Sequence, residues 1–336
     1  MAIAHLTGRR LARVHGLLAL ALAATIVAAA TIGPVHLDWR RALDPSLGSA
    51  DAVILFRTRV PRVLLAAVVG GALATAGAAL QALLRNPLAD PHLLGVSSGA
   101  ALAGVCAIVL QPVFLGRTVV VPAAAFGGAL ASMAIVVGAS RVGGRLDSYT
   151  LLLVGVIYNA FAGALLMFIN SVVDFYQAHG VLFWLMGSLS GGDYSVVAAL
   201  ALYTLVGLGA LVVRARDLDC LSLGDDRAAE LGVDVERARL VVFVAASLLV
   251  GAVVSVSGMI GFVGLIVPHL VRMLIGGDHR LLLPASYLGG AIFLVCADTI
   301  ARTALGGGEI PVGVVTALCG APFFTYLLRR ERRRTG

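Results

Sequence analysis

Long apolar runs separated by short polar breaks dominate this chain. The runs cover 17–35, 63–83, 94–110, 119–139, 151–169, 195–213, 240–256, 262–275, 281–297 and 311–328. Most approach the about 20 residues that a helix needs to cross a bilayer. Apolar residues follow one another instead of alternating with polar ones, so the runs predict helices and not barrel strands. The pattern therefore predicts an all-α polytopic membrane protein of about ten transmembrane helices, with both termini on one side. Residues 1–336 read as one transmembrane domain with a basic leader at 1–16 and a basic tail at 329–336. The run after the leader is as long as a true span and more spans follow it, so it reads as a retained helix and not a cleaved signal.

The breaks between the runs are not uniform. The longest is Arg214–Arg239, RARDLDCLSLGDDRAAELGVDVERAR, with five arginines and seven acids. A loop needs no such charge to reverse direction. Asp225 and Asp226 suit a helix N-terminus, Gly232 suits its end, and Asp234 reads as the N-cap of the next helix. The stretch predicts a folded cytoplasmic element, either a well-capped solvated turn or a docking surface for a soluble partner. In Gln81–Gly99, QALLRNPLADPHLLGVSSG, Pro87 and Pro91 forbid helix continuation, while Asn86 and Asp90 favour turns. In Gly258–Arg280, Pro268 predicts a helix break inside apolar sequence. In Gly306–Gly320, Pro311 reads as the first residue of the last helix.

Composition narrows the chemistry. The chain is 60% hydrophobic and 13% charged, with a mean hydropathy of +0.98. All 25 basic residues are arginine. Without lysine there is neither a phosphate-binding loop of the G-x-x-x-x-G-K-[ST] type nor a Schiff-base nucleophile. No catalytic residue is assigned, and any ATP hydrolysis belongs to another polypeptide. His269 and His279 lack a third residue spaced to join them on a metal. Cys106, Cys220, Cys296 and Cys319 are scattered and read as small packing residues. The net charge of +7 sits in loops and at the C-terminus, so it reports topology and not nucleic-acid binding.

With the N-terminus inside, 18 of the 25 arginines fall on the cytoplasmic side, as the positive-inside rule requires. The other seven are Arg40, Arg41, Arg57, Arg59, Arg62, Arg117 and Arg302, five of them in the first outer loop. None of the ten runs contains Asp, Glu or Lys. That disfavours the alternative of an ion-coupled secondary carrier, which keeps carboxylates near the midplane. Gln81, Asn159 and Asn170 read as interhelical hydrogen-bonding groups.

At several of these positions the sequence resembles the FecCD family. The segments RNPLADPHLLGVSSGA, IGFVGLIVPHLVR, DHRLLLPAS, ADTIAR, EIPVGVVTALCGAPFF and FWLMGSLSGG carry the resemblance across most of residues 50–330, in the family's order. Met259 departs from it, standing where many relatives have proline. The family comprises permease subunits of ABC importers for ferric siderophores, haem and cobalamin in the bacterial inner membrane. The resemblance implies the type II importer permease fold and a homodimer with the pathway on its two-fold axis. It also implies two cytoplasmic ATPases, which bind ATP and Mg, and a periplasmic or lipid-anchored binding protein. No cofactor is bound by this chain itself. By matching position, Leu223, Gly224, Asp225, Asp226, Arg227, Ala228, Glu230, Leu231 and Gly232 correspond to the ATPase-coupling helices. Asn86 and Leu88 match one side of a cytoplasmic gate. Ser148 and Tyr149 match the other, where the local sequence departs from relatives. Arg59, Arg62 and Arg302 match arginines that receive carboxylates of the binding protein.

Overall fold

Residues 7–43, 49–110, 117–305 and 308–335 are described by a computed structural model. Residues 1–6 of the basic leader, Gly306, Gly307 and Gly336 lie outside the described residues, as do the side chains of the basic tail. The described residues form fourteen helices. In order they are α1 (Gly8–Thr31), α2 (Trp39–Ala42), α3 (Ala50–Leu83), α4 (Val96–Leu110), α5 (Arg117–Ala139), α6 (Ser148–Val172) and α7 (Phe175–Leu185). There follow α8 (Tyr194–Val213), α9 (Ala215–Leu221), α10 (Asp225–Glu230), α11 (Val235–Ser257), α12 (Val263–Ile275), α13 (His279–Thr303) and α14 (Val312–Thr335). Seven are long and apolar enough to cross a membrane, and the apolar helices at 96–110, 263–275 and 312–325 are shorter. Each of the ten runs read from the sequence holds one of these. The only strands among the described residues form a short antiparallel ladder, β1 (Arg141–Val142) against β2 (Arg145–Leu146).

Three boundaries differ from the sequence reading. The leader is helical from Gly8 and continuous with the first span, because Thr7 caps it by accepting from the Arg10 amide at 3.3 Å. The outer loop before α8 holds a further helix, α7, capped by Asp174 on the amides of Tyr176 and Gln177. The last helix begins at Val312, immediately after Pro311.

Helix α3 lies at the centre. Nearly every residue from Pro61 to Leu83 is buried, including Val69, Leu73, Leu80 and a series of alanines. It packs most extensively on α13, then on α11 and α12. The crossing with α13 is backbone on backbone, since a Cβ on Gly70 or on Gly290 would strike the other's carbonyl. Small residues permit this approach, and close packing supplies much of the association energy of helices in lipid. Around this axis α4 packs on α5 and α6, while α1 lies against α13. The buried apolar cluster is continuous from Ala29 through Phe243 to Val315.

The two proline segments behave differently. Between α3 and α4 the helix does end, and Asn86 and Asp90 accept from the amides of Leu88 and His92 in Asx turns. Pro268 does not break its helix: it lies within α12. A proline at 268 frees the carbonyl four residues earlier, at Gly264. Gln81 of α3 donates from Nε2 to that carbonyl at 3.3 Å and to Leu265 O at 3.1 Å. Its Oε1 accepts from Arg272 Nη1 at 3.2 Å. One buried amide thus satisfies the freed backbone and a cation one turn beyond the proline. Gln81→Met, similar in shape but without these hydrogen bonds, is expected to lower stability by about 1–3 kcal/mol. Thermal unfolding in detergent, compared with Gln81→Glu, measures it; an unchanged midpoint in the methionine variant contradicts the assignment.

Candidate functional site

On the cytoplasmic side, α9 and α10 form the element read from Arg214–Arg239. Helix α10 closes in a Schellman motif: Gly232 N donates to Ala229 O at 2.9 Å and Val233 N to Ala228 O at 3.0 Å. Gly232 has φ 85°, a conformation that favours glycine. Asp234 then caps α11 through the Arg237 amide at 3.1 Å. Ala228 is buried and anchors the element, while Asp226, Arg227 and Glu230 face outward. Leu223 and Leu231 are 56% and 63% exposed, which leaves two large apolar side chains on a charged surface with nothing among the described residues to cover them. Asp225 points inward. Its Oδ1 lies 3.1 Å from Arg85 Nη2 and 2.8 Å from Arg239 Nη2.

The two expected gate segments are adjacent. Helix α3 also ends in a Schellman motif, in which Arg85 N donates to Ala82 O at 3.2 Å and Asn86 N to Gln81 O at 3.1 Å. The left-handed position is Arg85, with φ 50°, where glycine is usual. Asn86 and the exposed Leu88 follow it. Ser148 opens α6 and donates from Oγ to Leu83 O at 3.3 Å, so both segments meet at the end of α3. Tyr149 beside it is exposed. Asp147 fixes this start, accepting from the Thr150 amide and hydroxyl, each at 2.7 Å. Those hydrogen bonds hold its carboxyl below the usual carboxylate range. Deeper in, Asn159 of α6 donates to His92 O at 3.0 Å, an interhelical bond of the expected kind.

The outer arginines expected to meet a partner's carboxylates are engaged inside the chain. Arg59, Arg62 and Arg302 are 4%, 8% and 4% exposed. Arg302 donates to Ile32 O at 3.0 Å, Ala29 O at 2.6 Å and Asp298 Oδ2 at 3.1 Å. Arg59 donates to Thr31 O at 3.1 Å and to Val35 O, so two guanidinium groups cap the C-terminus of α1. Arg62 pairs with Asp298 Oδ1 at 2.9 Å and with Glu309 Oε2 at 2.8 Å. Asp298 is fully buried in α13. It lies one residue beyond the apolar run 281–297, which is why the sequence showed no acid in a span. The i, i+4 pairing of Asp298 with Arg302 was readable, whereas the approach of Arg62, 236 residues away, was not. The reading likewise missed Arg85, Arg239, Glu309 and the pairing of His279 with Asp219 at 2.6 Å.

Removing one member of a buried ion cluster leaves its partners charged and unpaired, at a cost of about 3–5 kcal/mol. Asp298→Asn is therefore expected to lower the melting temperature in detergent severely. The double variant with Arg302→Met is expected to lose less than the two single variants together. Strict additivity in that cycle contradicts the coupling.

Comparison with known proteins agrees with this architecture. The family model described as the FecCD transport family matches residues 20–330. The hemin transport system permease protein HmuU of Yersinia pestis is 44% identical, over 95% of this chain and 96% of its own. The cobalamin import system permease protein BtuC of Halobacterium salinarum is 46% identical, over 84% and 75%. A solved inward-facing ABC transporter, assigned to the metal-chelate type, superposes with a TM-score of 0.83 at 31% identity, over 95% of this chain and 99% of that one. The chain belongs to the FecCD transport family, as a multi-pass membrane permease of the ABC transporter class.

Proposed function

We propose that this chain is the permease subunit of an ATP-driven importer that carries a bulky metal chelate into the cytoplasm by alternating access. The chelate class is a ferric siderophore, haem or cobalamin, supported by the substrates named for the hemin and cobalamin permeases. The chain works as a homodimer in the bacterial cytoplasmic membrane, with two cytoplasmic ATPases and a periplasmic or lipid-anchored binding protein. It binds no cofactor of its own; ATP and Mg belong to the ATPases. The observation that carries this reading is the α9–α10 element. It is rigidly capped, anchored by buried Ala228, and presents Leu223 and Leu231 among outward-facing charges. An apolar pair within a polar rim is the composition of a protein-docking surface.

Asn86 and Leu88 face Ser148 and Tyr149 as the proposed cytoplasmic gate, supported by the Ser148 contact with Leu83 O. On the outer face we infer docking of the binding protein at the arginine-rich end. Arg59, Arg62 and Arg302 are engaged internally, so a partner's carboxylate reaches them by exchange with Asp298 or Glu309. Glu309, half exposed, is the replaceable one. Among the described residues the ion-coupled alternative has one fully buried carboxylate in a span to call on, Asp298, and two arginines already neutralise it.

Reconstitution with the ATPase in liposomes tests the proposal, with haem, cyanocobalamin and a ferric siderophore as separate probes. Asp226→Arg with Glu230→Arg and Leu231→Asp is expected to leave membrane insertion unchanged. ATP-dependent uptake is expected to fall at least about fivefold, the loss expected when a docking anchor worth more than about 1 kcal/mol is removed. Wild-type uptake in this variant at equal expression removes the element from the mechanism. Uptake driven by a proton or sodium gradient without ATP favours the carrier.

A further inference from the structure

One carboxylate oxygen connects three elements distant in sequence. Asp225 Oδ1, at the start of α10, accepts a hydrogen bond from Arg85 Nη2 at 3.1 Å and forms an ion pair with Arg239 Nη2 at 2.8 Å. Arg85 is the residue immediately before the first gate segment. Arg239 donates through Nη1 to Leu146 O, two residues before Ser148 and the second gate segment. Ser148 closes the circuit by donating to Leu83 O. The connections run from Leu83 through Arg85, Asp225, Arg239 and Leu146 to Ser148, and back to Leu83.

Two features distinguish this circuit from a chance surface pair. Arg85 holds a left-handed conformation at φ 50° that is strained for a residue with a Cβ. Glycine would satisfy that position better, so what arginine adds there is its reach to Asp225. The Arg239 side chain is 7% exposed, and Asp225 is its one carboxylate partner among the described residues. Removing that carboxylate leaves the buried cation with only its longer-range attraction to Asp147, and its hold on Leu146 has to adjust. Between β2 and the α10–α11 turn lies a cavity of about 440 Å³, lined by Arg145, Leu146, Asp225, Asp226 and Arg239 among others, which gives these elements room to shift. The neighbouring Asp226 is exposed and has no place in the circuit.

We propose that Asp225 is the positioning residue through which the α9–α10 element holds both gate segments at once, so that displacing α10 releases them together. This rests on the reading of α9–α10 as the docking element and of the two segments as a gate. A single acceptor shared by two cations makes the coupling concerted: any motion that withdraws Oδ1 weakens both attachments in the same step. It is also reciprocal, since whatever spreads the segments loosens α10.

The test is hydrogen exchange of the full-length chain in nanodiscs. The readouts are the amides of 84–89 and 147–151, which are protected by the Schellman, Asx and cap hydrogen bonds described above. Asp225→Asn is expected to speed exchange about threefold in both segments, the scale of a partly exposed ion pair. Asp225→Glu, which keeps the charge, is expected to restore most of the protection. Asp226→Asn is expected to change neither segment. Arg85→Gly, which suits the left-handed backbone, is expected to loosen 84–89 and leave 147–151 protected. Unchanged exchange in Asp225→Asn, loosening of one segment alone, or an equal effect from Asp226→Asn overturns the relay. The underlying gate reading is checked separately. Single cysteines at Asn86, Leu88, Ser148 and Tyr149, in a background without the four native cysteines, are labelled from the cytoplasmic side with the ATPase bound. Labelling indifferent to nucleotide, with exchange as expected, retains the relay as a tie between segments and refutes the gate.

Discussion

A carbonyl or guanidinium inside an apolar bundle has no water to turn to, and an unpaired group there costs several kcal/mol. That constraint explains where the polar side chains of this protein lie. Gln81 stands on α3 opposite the carbonyl that Pro268 frees, and its other end meets Arg272. Arg59 and Arg302 stand where the last carbonyls of α1 end, replacing the water that would solvate them at a surface helix terminus. Asp298 in turn neutralises Arg302 and Arg62. These contacts tie α1, α3, α12 and α13 into one frame.

The frame is tight because its central helix is nearly all glycine, alanine and aliphatic residues. Where Gly70 meets Gly290, two backbones touch, so the polar groups at either end of α3 are held at fixed separations. A change at the cytoplasmic end, at Arg85, therefore reaches the rest of the molecule through an element that bends little. The turn after α3, the hairpin before α6 and the short helices α9 and α10 lie outside this frame.

Features that depend on neighbours in sequence were legible in advance. The ten apolar runs, the arrest of α3 before Pro87, the end of α10 at Gly232 and the Asp234 cap each follow from residues within one or two turns. What could not be read depends on contacts across the chain. Pro268 signals a break by every local rule, and it is tolerated only because Gln81, 187 residues earlier in the sequence, supplies the missing partner. The internal partners of the three outer arginines were mostly out of local reach: Glu309 is 247 residues from Arg62, and the acceptors of Arg302 on α1 are some 270 residues away. Helix α7 was missed because its run is broken by Gln177, His179 and Gly180, too polar and too short for a span.

The buried arginines also account for the charge on the outer side that the insertion rule disfavours. That rule concerns cations carried past the membrane near the ends of spans. Arg59, Arg62 and Arg302 are three of the seven outer arginines, and in the folded chain none of them lies free at the headgroups. Each has acceptors inside the protein, and two share a buried carboxylate. Among the described side chains, exposed positive charge on that face belongs to Arg40, Arg41 and Arg57, with Asp38 beside Arg41 at 3.5 Å. The arginine excess thus divides into an internal set that closes the end of the first helix and an external set in the loop leading to α3. Only the external set creates a field that an approaching acidic partner meets before any ion pair is exchanged, and that attraction falls within about 8–10 Å at physiological salt. In the docking proposed above, the internal set would be reached only afterwards, by exchange at Glu309.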